Sequence, residues 1–253
     1  MFRRLLFTLA LAATLIAQNT HAATGVRNVV LVHGAFADGS SWAKVIPLLE
    51  KAGLKAVAVQ NPLTSFEDDV AATQRAIALQ DGPVILVGHS WGGVVITEAG
   101  VDPKVTGLVY VAAFAPDVGV PVGELGQGYA QPPGLAELRP DAQGYLTLTT
   151  KGVMESFAPD LPLAQRKIVA ATQGATNSSV FGSKVTVAAW KNKPSWYVVA
   201  ADDRMISPDL ERAFASTIKA NTIAVRSSHV VMLSHPEVVA KLIIEAAKSA
   251  SAD

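Results

Sequence analysis

The sequence predicts an α/β fold built on a mostly parallel central sheet, with an insertion over one edge. Three observations lead there. Six short apolar runs alternate along the chain with helical patterns. The runs do not switch between polar and apolar residues, so they suit strands buried on both faces, as in a parallel sheet. The alternation lapses once, from about 115 to 193, a stretch too long for a structureless loop in a compact domain.

Taken in order, strands are expected at 28–32, 55–59, 84–87, 107–112, 195–200 and 221–226. Helices are expected between them at 42–52, 66–79, 91–100, 208–219 and 236–248. Ser207-Pro208 offers a cap followed by a first-turn proline, which has no N–H to lose there. Ser234-His235-Pro236-Glu237 has the spacing of a capping box. The insert, 115–193, is rich in Pro, Gly, Gln and Thr and holds only weak amphipathic pieces at 152–157 and 162–172. It reads as a cap over the C-terminal edge of the sheet, where open α/β sheets bind ligands.

With 253 residues, half of them hydrophobic and 17% charged, the chain can bury one sizeable core. The 21 basic and 21 acidic residues balance, and no run of like charge points to nucleic acid or to a polycation partner. Arg3-Arg4, an apolar stretch over 5–17 and Thr20-His21-Ala22 read as a signal peptide. Residues 1–22 are then removed after Ala22, leaving a domain over 23–253 in the periplasm or outside the cell, with no stable membrane association. An uncleaved anchor is the alternative. The chain has no cysteine, so disulfides, thiol nucleophiles and thiolate metal sites are excluded. Its five histidines form no metal-ligand spacing, and no metal site is expected.

Residues 84–97 carry the chemistry. An apolar β-branched run meets Gly88-His89-Ser90-Trp91-Gly92, and a second apolar run follows. This is G-x-S-x-G between a strand and a helix, a turn that exposes the serine at the sheet top. The small flanks at Gly88 and Gly92 allow the backbones to approach. Ser90 is the candidate nucleophile, and a serine hydroxyl needs a base held by a carboxylate. In this setting the chain order is serine, acid, histidine, with acid and histidine at strand ends. The strand at 195–200 ends in Asp202-Asp203, either of which fits the acid. The strand at 221–226 ends in Ser227-Ser228-His229, so His229 is the candidate base. His235, the competitor, falls in the first turn of the last helix. Two amides must face the developing oxyanion. Trp91 N–H, just after the serine, is one. The loop His33-Gly34-Ala35-Phe36 supplies the other, with Ala35 preferred over Phe36.

Four segments together resemble the α/β-hydrolase superfamily: 33–36 with Gly39-Ser40-Ser41-Trp42, the elbow 88–93, 196–203 and 228–234. The nearest likeness is to the small cap-bearing esterases of the plant methylesterase and hydroxynitrile-lyase group and their bacterial relatives. The resemblance implies that the acid lies six residues after Tyr197, which selects Asp203. It also implies a cofactor-free enzyme. Hydroxynitrile lyases of the group carry a threonine after the first-strand histidine and a lysine after the catalytic one, where this chain has Gly34 and Val230. Without that lysine charge for a leaving cyanide, hydrolysis of a small-molecule carboxylic ester is the expected reaction. A haloperoxidase or perhydrolase using the same triad is the alternative enzyme, and a ligand-binding hydrolase fold with little turnover is the alternative outside catalysis. Phe36, Phe114 and Val230 near strand ends, with Phe157, Phe181 and Trp190 from the insert, are expected to wall an apolar pocket. The insert is expected to set substrate range without supplying chemistry.

Overall fold

The structure, a computed structural model, describes residues 25–250. The expected signal peptide and its cleavage site lie outside the described residues. Six parallel strands form the central sheet in the order β2-β1-β3-β4-β8-β9. They are β1 Asn28–Val32, β2 Lys55–Ala58, β3 Val84–His89, β4 Val105–Val111, β8 Ser195–Ala200 and β9 Asn221–Val225. Strands β1, β3 and β8 are buried along their whole length, and β4 nearly so. The two edge strands depart from the expectation of burial on both faces. β2 alternates exposed with half-buried residues, and β9 is largely exposed. Each has a neighbour on one side only, so one flank meets solvent.

Helices α1 Ile46–Lys51, α2 Phe66–Ala78, α3 Gly92–Ala99, α6 Pro208–Thr217 and α8 Pro236–Ser249 connect and flank these strands. The helix expected over 42–52 is broken in two. A 3₁₀ turn, Gly39–Trp42, is capped by the Asp38 carboxylate, and α1 begins only at Ile46, with Pro47 in its first turn. Proline has no N–H and belongs at a helix start, so the helix cannot run through it. The expected capping box before α8 does not form. Ser234 sits in the short helix α7, Val231–Ser234, and its hydroxyl pairs with Ser227 Oγ at 2.7 Å. Ser207 stands at the α6 cap with Pro208 following, yet its hydroxyl makes no cap bond.

The insert holds more structure than its two expected pieces. Helix α4, Thr150–Gly152, runs into a π-turn, Val153–Phe157, and α5 spans Leu163–Thr172. A three-stranded antiparallel sheet joins β5 Leu138–Pro140, β6 Tyr145–Leu148 and β7 Thr176–Asn177. The β5–β6 turn is built by Asp141, whose carboxylate accepts from the Gln143 and Tyr145 amides, and by Gly144 at φ +83°.

Strand order reverses between β1 and β3. The chain leaves β1 toward β2 on one side, then returns to build β3, β4, β8 and β9 on the other. The loops after β1 and β3 therefore diverge and leave a crevice at the strand ends, with Val32 paired to Gly88. The crevice receives the residues 33–36 and 89–92.

Candidate active site

The elbow is tight because its backbones touch. A Cβ at Gly88 would lie 2.5 Å from the Gly92 carbonyl oxygen, and one at Gly34 would lie 2.6 Å from Ser90 Cβ. Real side chains do not fit at those separations, so glycine is required at both. Strand β3 runs through His89, and Ser90 then turns at φ +54°, a left-handed conformation that is costly for a non-glycine residue. The serine backbone is pinned in it. Its N–H donates to the Val111 carbonyl at 3.3 Å, and its carbonyl accepts from the Gly93 and Phe114 amides.

His229 and Asp203 meet beside the elbow, both nearly fully buried. His229 Nδ1 lies 2.6 Å from Asp203 Oδ2. The other carboxylate oxygen, Oδ1, accepts from the amides of Met205 at 2.6 Å and Ile206 at 3.1 Å. With Oδ2 as acceptor, the proton belongs on Nδ1, leaving the Nε2 lone pair for another partner. Asp202 points elsewhere, its carboxylate largely exposed and 3.4 Å from Arg226 Nε. His235 bonds to Ser234 Oγ. Of the two adjacent aspartates, Asp203 is the one in contact with His229. Ser90 and His229 line one cavity of ≈ 160 Å³, together with Ala35, Phe36, Trp91 and Phe157.

Two amides in this crevice, Ala35 N–H and Trp91 N–H, have no acceptor among the described residues. Phe36 N–H is different. It donates to Thr176 Oγ1 at 3.2 Å, so unlike Ala35 N–H it has an acceptor. The Trp91 indole donates to the buried Asp69 carboxylate at 2.7 Å, holding a residue that lines the Ser90 cavity.

The neighbouring histidines are neutral and structural. His33 donates from Nδ1 to the Gly34 carbonyl and accepts the Asn61 amide at Nε2, and burial lowers its pKa. His89 lies against the His229 ring, 4.7 Å between centroids, with Nε2 3.0 Å from the His229 carbonyl. Burial, then the nearby His229, pushes its pKa well down.

Four side chains at the site were not found from sequence. Thr176 in β7 holds Phe36, and the next amide, Asn177 N–H, donates to the Leu63 carbonyl. Asp160 accepts from Ser228 N–H at 2.8 Å, Ser228 Oγ at 2.5 Å and Ser227 Oγ at 3.0 Å, fixing the loop that carries His229. Burial would raise its carboxyl, but these hydrogen bonds outweigh it and hold the pKa low. Asp69 holds Trp91. Glu211 lies fully buried behind Asp203 and accepts the Ala200 amide at 2.9 Å. The insert is therefore more than a lid, because Thr176 and Asp160 grip the two loops on either side of the serine. Among the pocket residues expected from sequence, Phe36, Phe114, Phe157 and Phe181 line the Ser90 cavity. Val230 lines an adjoining pocket instead. Trp190 lines neither. Its indole donates to the Pro116 carbonyl and Lys191 lies over its ring, so it fastens the end of the insert.

Burial, and then the Asp203 charge, push the Glu211 carboxyl well above the usual carboxylate range. Its Oε1 has no hydrogen-bond partner among the described residues. The folded chain then keeps a proton that the unfolded chain releases. Stability from this group is intact below the ordinary glutamate pKa and falls as pH rises above it. Glu211→Gln keeps an acceptor for Ala200 and removes the titration. Its melting temperature gains on wild type as pH rises from about 5 to 8. A gap that stays constant over that range contradicts a raised Glu211 pKa.

The alpha/beta hydrolase family model matches residues 29–242. The chain belongs to this family. An alpha-hydroxynitrile lyase of Arabidopsis thaliana is 27% identical to this hydrolase over 237 residues, covering 82% of it and 92% of the lyase. A carbendazim hydrolyzing esterase of a Nocardioides species is 36% identical over 108 residues, 36% of this chain and 44% of that enzyme. The crystal structure of a pyrethroid hydrolase from Sphingobium faniae superposes at a TM-score of 0.73 with 24% identity, covering 87% of this chain and 96% of the other. That likeness is one of fold.

Proposed function

We propose that this hydrolase is a serine esterase working through Ser90, His229 and Asp203. The observation that carries the reading is the buried 2.6 Å contact of His229 Nδ1 with Asp203, at a cavity shared with Ser90 and the free amides of Ala35 and Trp91. Ser90 Oγ attacks the ester carbonyl carbon while His229 Nε2 takes its proton. The carbonyl oxygen becomes an oxyanion facing the two amides, each worth on the order of 3 kcal/mol in the barrier. The intermediate collapses, the carbon–alkoxy bond breaks, and His229 returns the proton to the leaving alcohol. Water then attacks the acyl-serine with the same base, releasing the acid and restoring Ser90.

Gly34 and Val230 support hydrolysis over cyanide elimination, since Val230 brings no positive charge beside the base. Export through the signal peptide over 1–22 is part of the proposal, and a mature N-terminus at Ala23 in the native host is its check. The enzymatic test is rapid mixing with a 4-nitrophenyl ester whose deacylation is slow. A burst of one nitrophenolate per chain is expected, reporting an acyl-enzyme. Steady release with no burst for every acyl group tried, and no acyl adduct on the quenched chain by mass spectrometry, contradicts a covalent route.

A further inference from the structure

The Ser90 cavity is too small for a sizeable substrate, but it does not stand alone. At ≈ 160 Å³ it falls below the 300–1,000 Å³ usual for ligand sites. A pocket of ≈ 430 Å³ shares Phe114, Phe181, Leu135, Met205 and Ile206 with it. On the other flank, a pocket of ≈ 240 Å³ shares Phe36 and Phe157. Single layers of apolar side chains thus divide the reacting centre from two larger spaces.

The two flanks differ chemically. The larger pocket has no acidic or basic side chain in its lining, and its polar groups are neutral, among them Gln127 and Gln131. A charged arm buried there would find no oppositely charged side chain in the lining, which disfavours it. The smaller pocket runs between α5 and the 3₁₀ turn Gly39–Trp42 and carries Lys44 and Asp38 in its wall. Lys44 Nζ donates to the Leu233 carbonyl and to Gln165 Oε1, and forms no ion pair among the described residues.

Position relative to the base tells which end of an ester goes where. The leaving oxygen must receive a proton from His229, so the alcohol departs on the histidine side. Phe157, 5.2 Å from the His229 ring centre, and Val230, the next residue, both line the smaller pocket. The larger one is lined by Phe114, whose amide holds the Ser90 carbonyl at 3.3 Å, and by Met205 and Ile206, whose amides take Asp203 Oδ1, the carboxylate oxygen that does not meet His229.

We propose that the larger pocket is an acyl subsite for a bulky uncharged apolar acid, and that the smaller pocket is the alcohol subsite. The substrate class is then an ester extended on both sides of its carbonyl. The inference rests on the esterase reading above.

Two ester series test it: 4-nitrophenyl esters of lengthening acids, and butyrates of lengthening alcohols. On the wild-type enzyme kcat/KM is expected to climb further with acyl length than with alcohol length. Gly126→Phe adds bulk at a residue that lines the larger pocket, where a Cβ meets no atom within 4 Å and so causes no clash. It is expected to lower the preference for long acyl chains over short ones by about ten- to a hundredfold, the scale of a lost apolar contact, and to leave the alcohol ranking in place. Ala43→Trp, on the rim of the smaller pocket, is expected to do the converse. A wild-type rate that climbs further with alcohol length, or variants that move the opposite series or neither, overturns the assignment. The underlying reading is tested separately on wild-type protein. If that protein hydrolyses esters but an organophosphorus fluoride leaves Ser90 unmodified, the esterase mechanism itself has failed, whatever the selectivities show.

Discussion

Replacing Ser90 with alanine is expected to lower kcat on any hydrolysed ester by about 10⁶-fold, the scale seen when a catalytic serine is removed from a triad that acts as one unit. The substitution deletes one oxygen from a residue that is only 7% exposed. The left-handed turn is held by backbone hydrogen bonds to Val111, Gly93 and Phe114, none of which needs the side chain. Circular dichroism and melting are therefore expected to stay near wild type. An activity loss with unfolding says nothing about the nucleophile, whereas full activity in a folded Ser90→Ala protein refutes its role. KM for a poorly turned-over ester should change little, because the oxyanion amides and the apolar walls remain.

Asp203→Asn is expected to cost about 10⁴-fold in kcat, for a reason specific to this carboxylate. Oδ1 already accepts two amides, from Met205 and Ile206. An asparagine satisfies both only if its carbonyl oxygen takes that side, which turns its NH₂ toward His229 Nδ1. The NH₂ is a donor, so Nδ1 must then carry the lone pair and Nε2 the proton. The imidazole that results cannot accept the Ser90 proton. Stability should fall little, since every hydrogen-bonding group retains a partner. Asp202→Asn is the control: its carboxylate is exposed and only loosely paired with Arg226, a contact worth at most about 1 kcal/mol. If Asp202→Asn does the greater damage, the assignment of the acid is wrong.

What was legible in the sequence was local. A buried strand, a glycine-flanked serine and an apolar helix within fourteen residues placed Ser90 at a sheet top, and the structure has that arrangement. Residues 203 and 229 were readable as strand-end positions for the same reason. The choice between Asp202 and Asp203 was not legible from strand position and came only from the family resemblance. Adjacent residues leaving a strand point to different sides, and direction depends on packing that pattern does not encode. The contacts of the insert were harder still. Thr176 meets Phe36 across 140 positions and Asp160 meets Ser228 across 68, with no spacing rule to announce either. Glu211 could be read only as a polar residue of an amphipathic helix, although it is buried. The cap strands had a readable turn at Asp141 and Gly144, but two to four residues of strand are too few to show a period. Trp190 was expected in the pocket on aromatic character alone, which does not distinguish a substrate wall from a fastening.

These residues form one arrangement: a serine in a left-handed turn at the fork of the sheet, a histidine held by a buried aspartate, and an insert gripping the loops on either side. The most direct measurement is peptide mass spectrometry after exposure to an organophosphorus fluoride. The account predicts a single adduct per chain on the peptide carrying Ser90, concurrent loss of ester hydrolysis, and no adduct on Ser90→Ala. Modification of a different residue concurrent with loss of activity, or full inactivation with Ser90 unmodified, contradicts it.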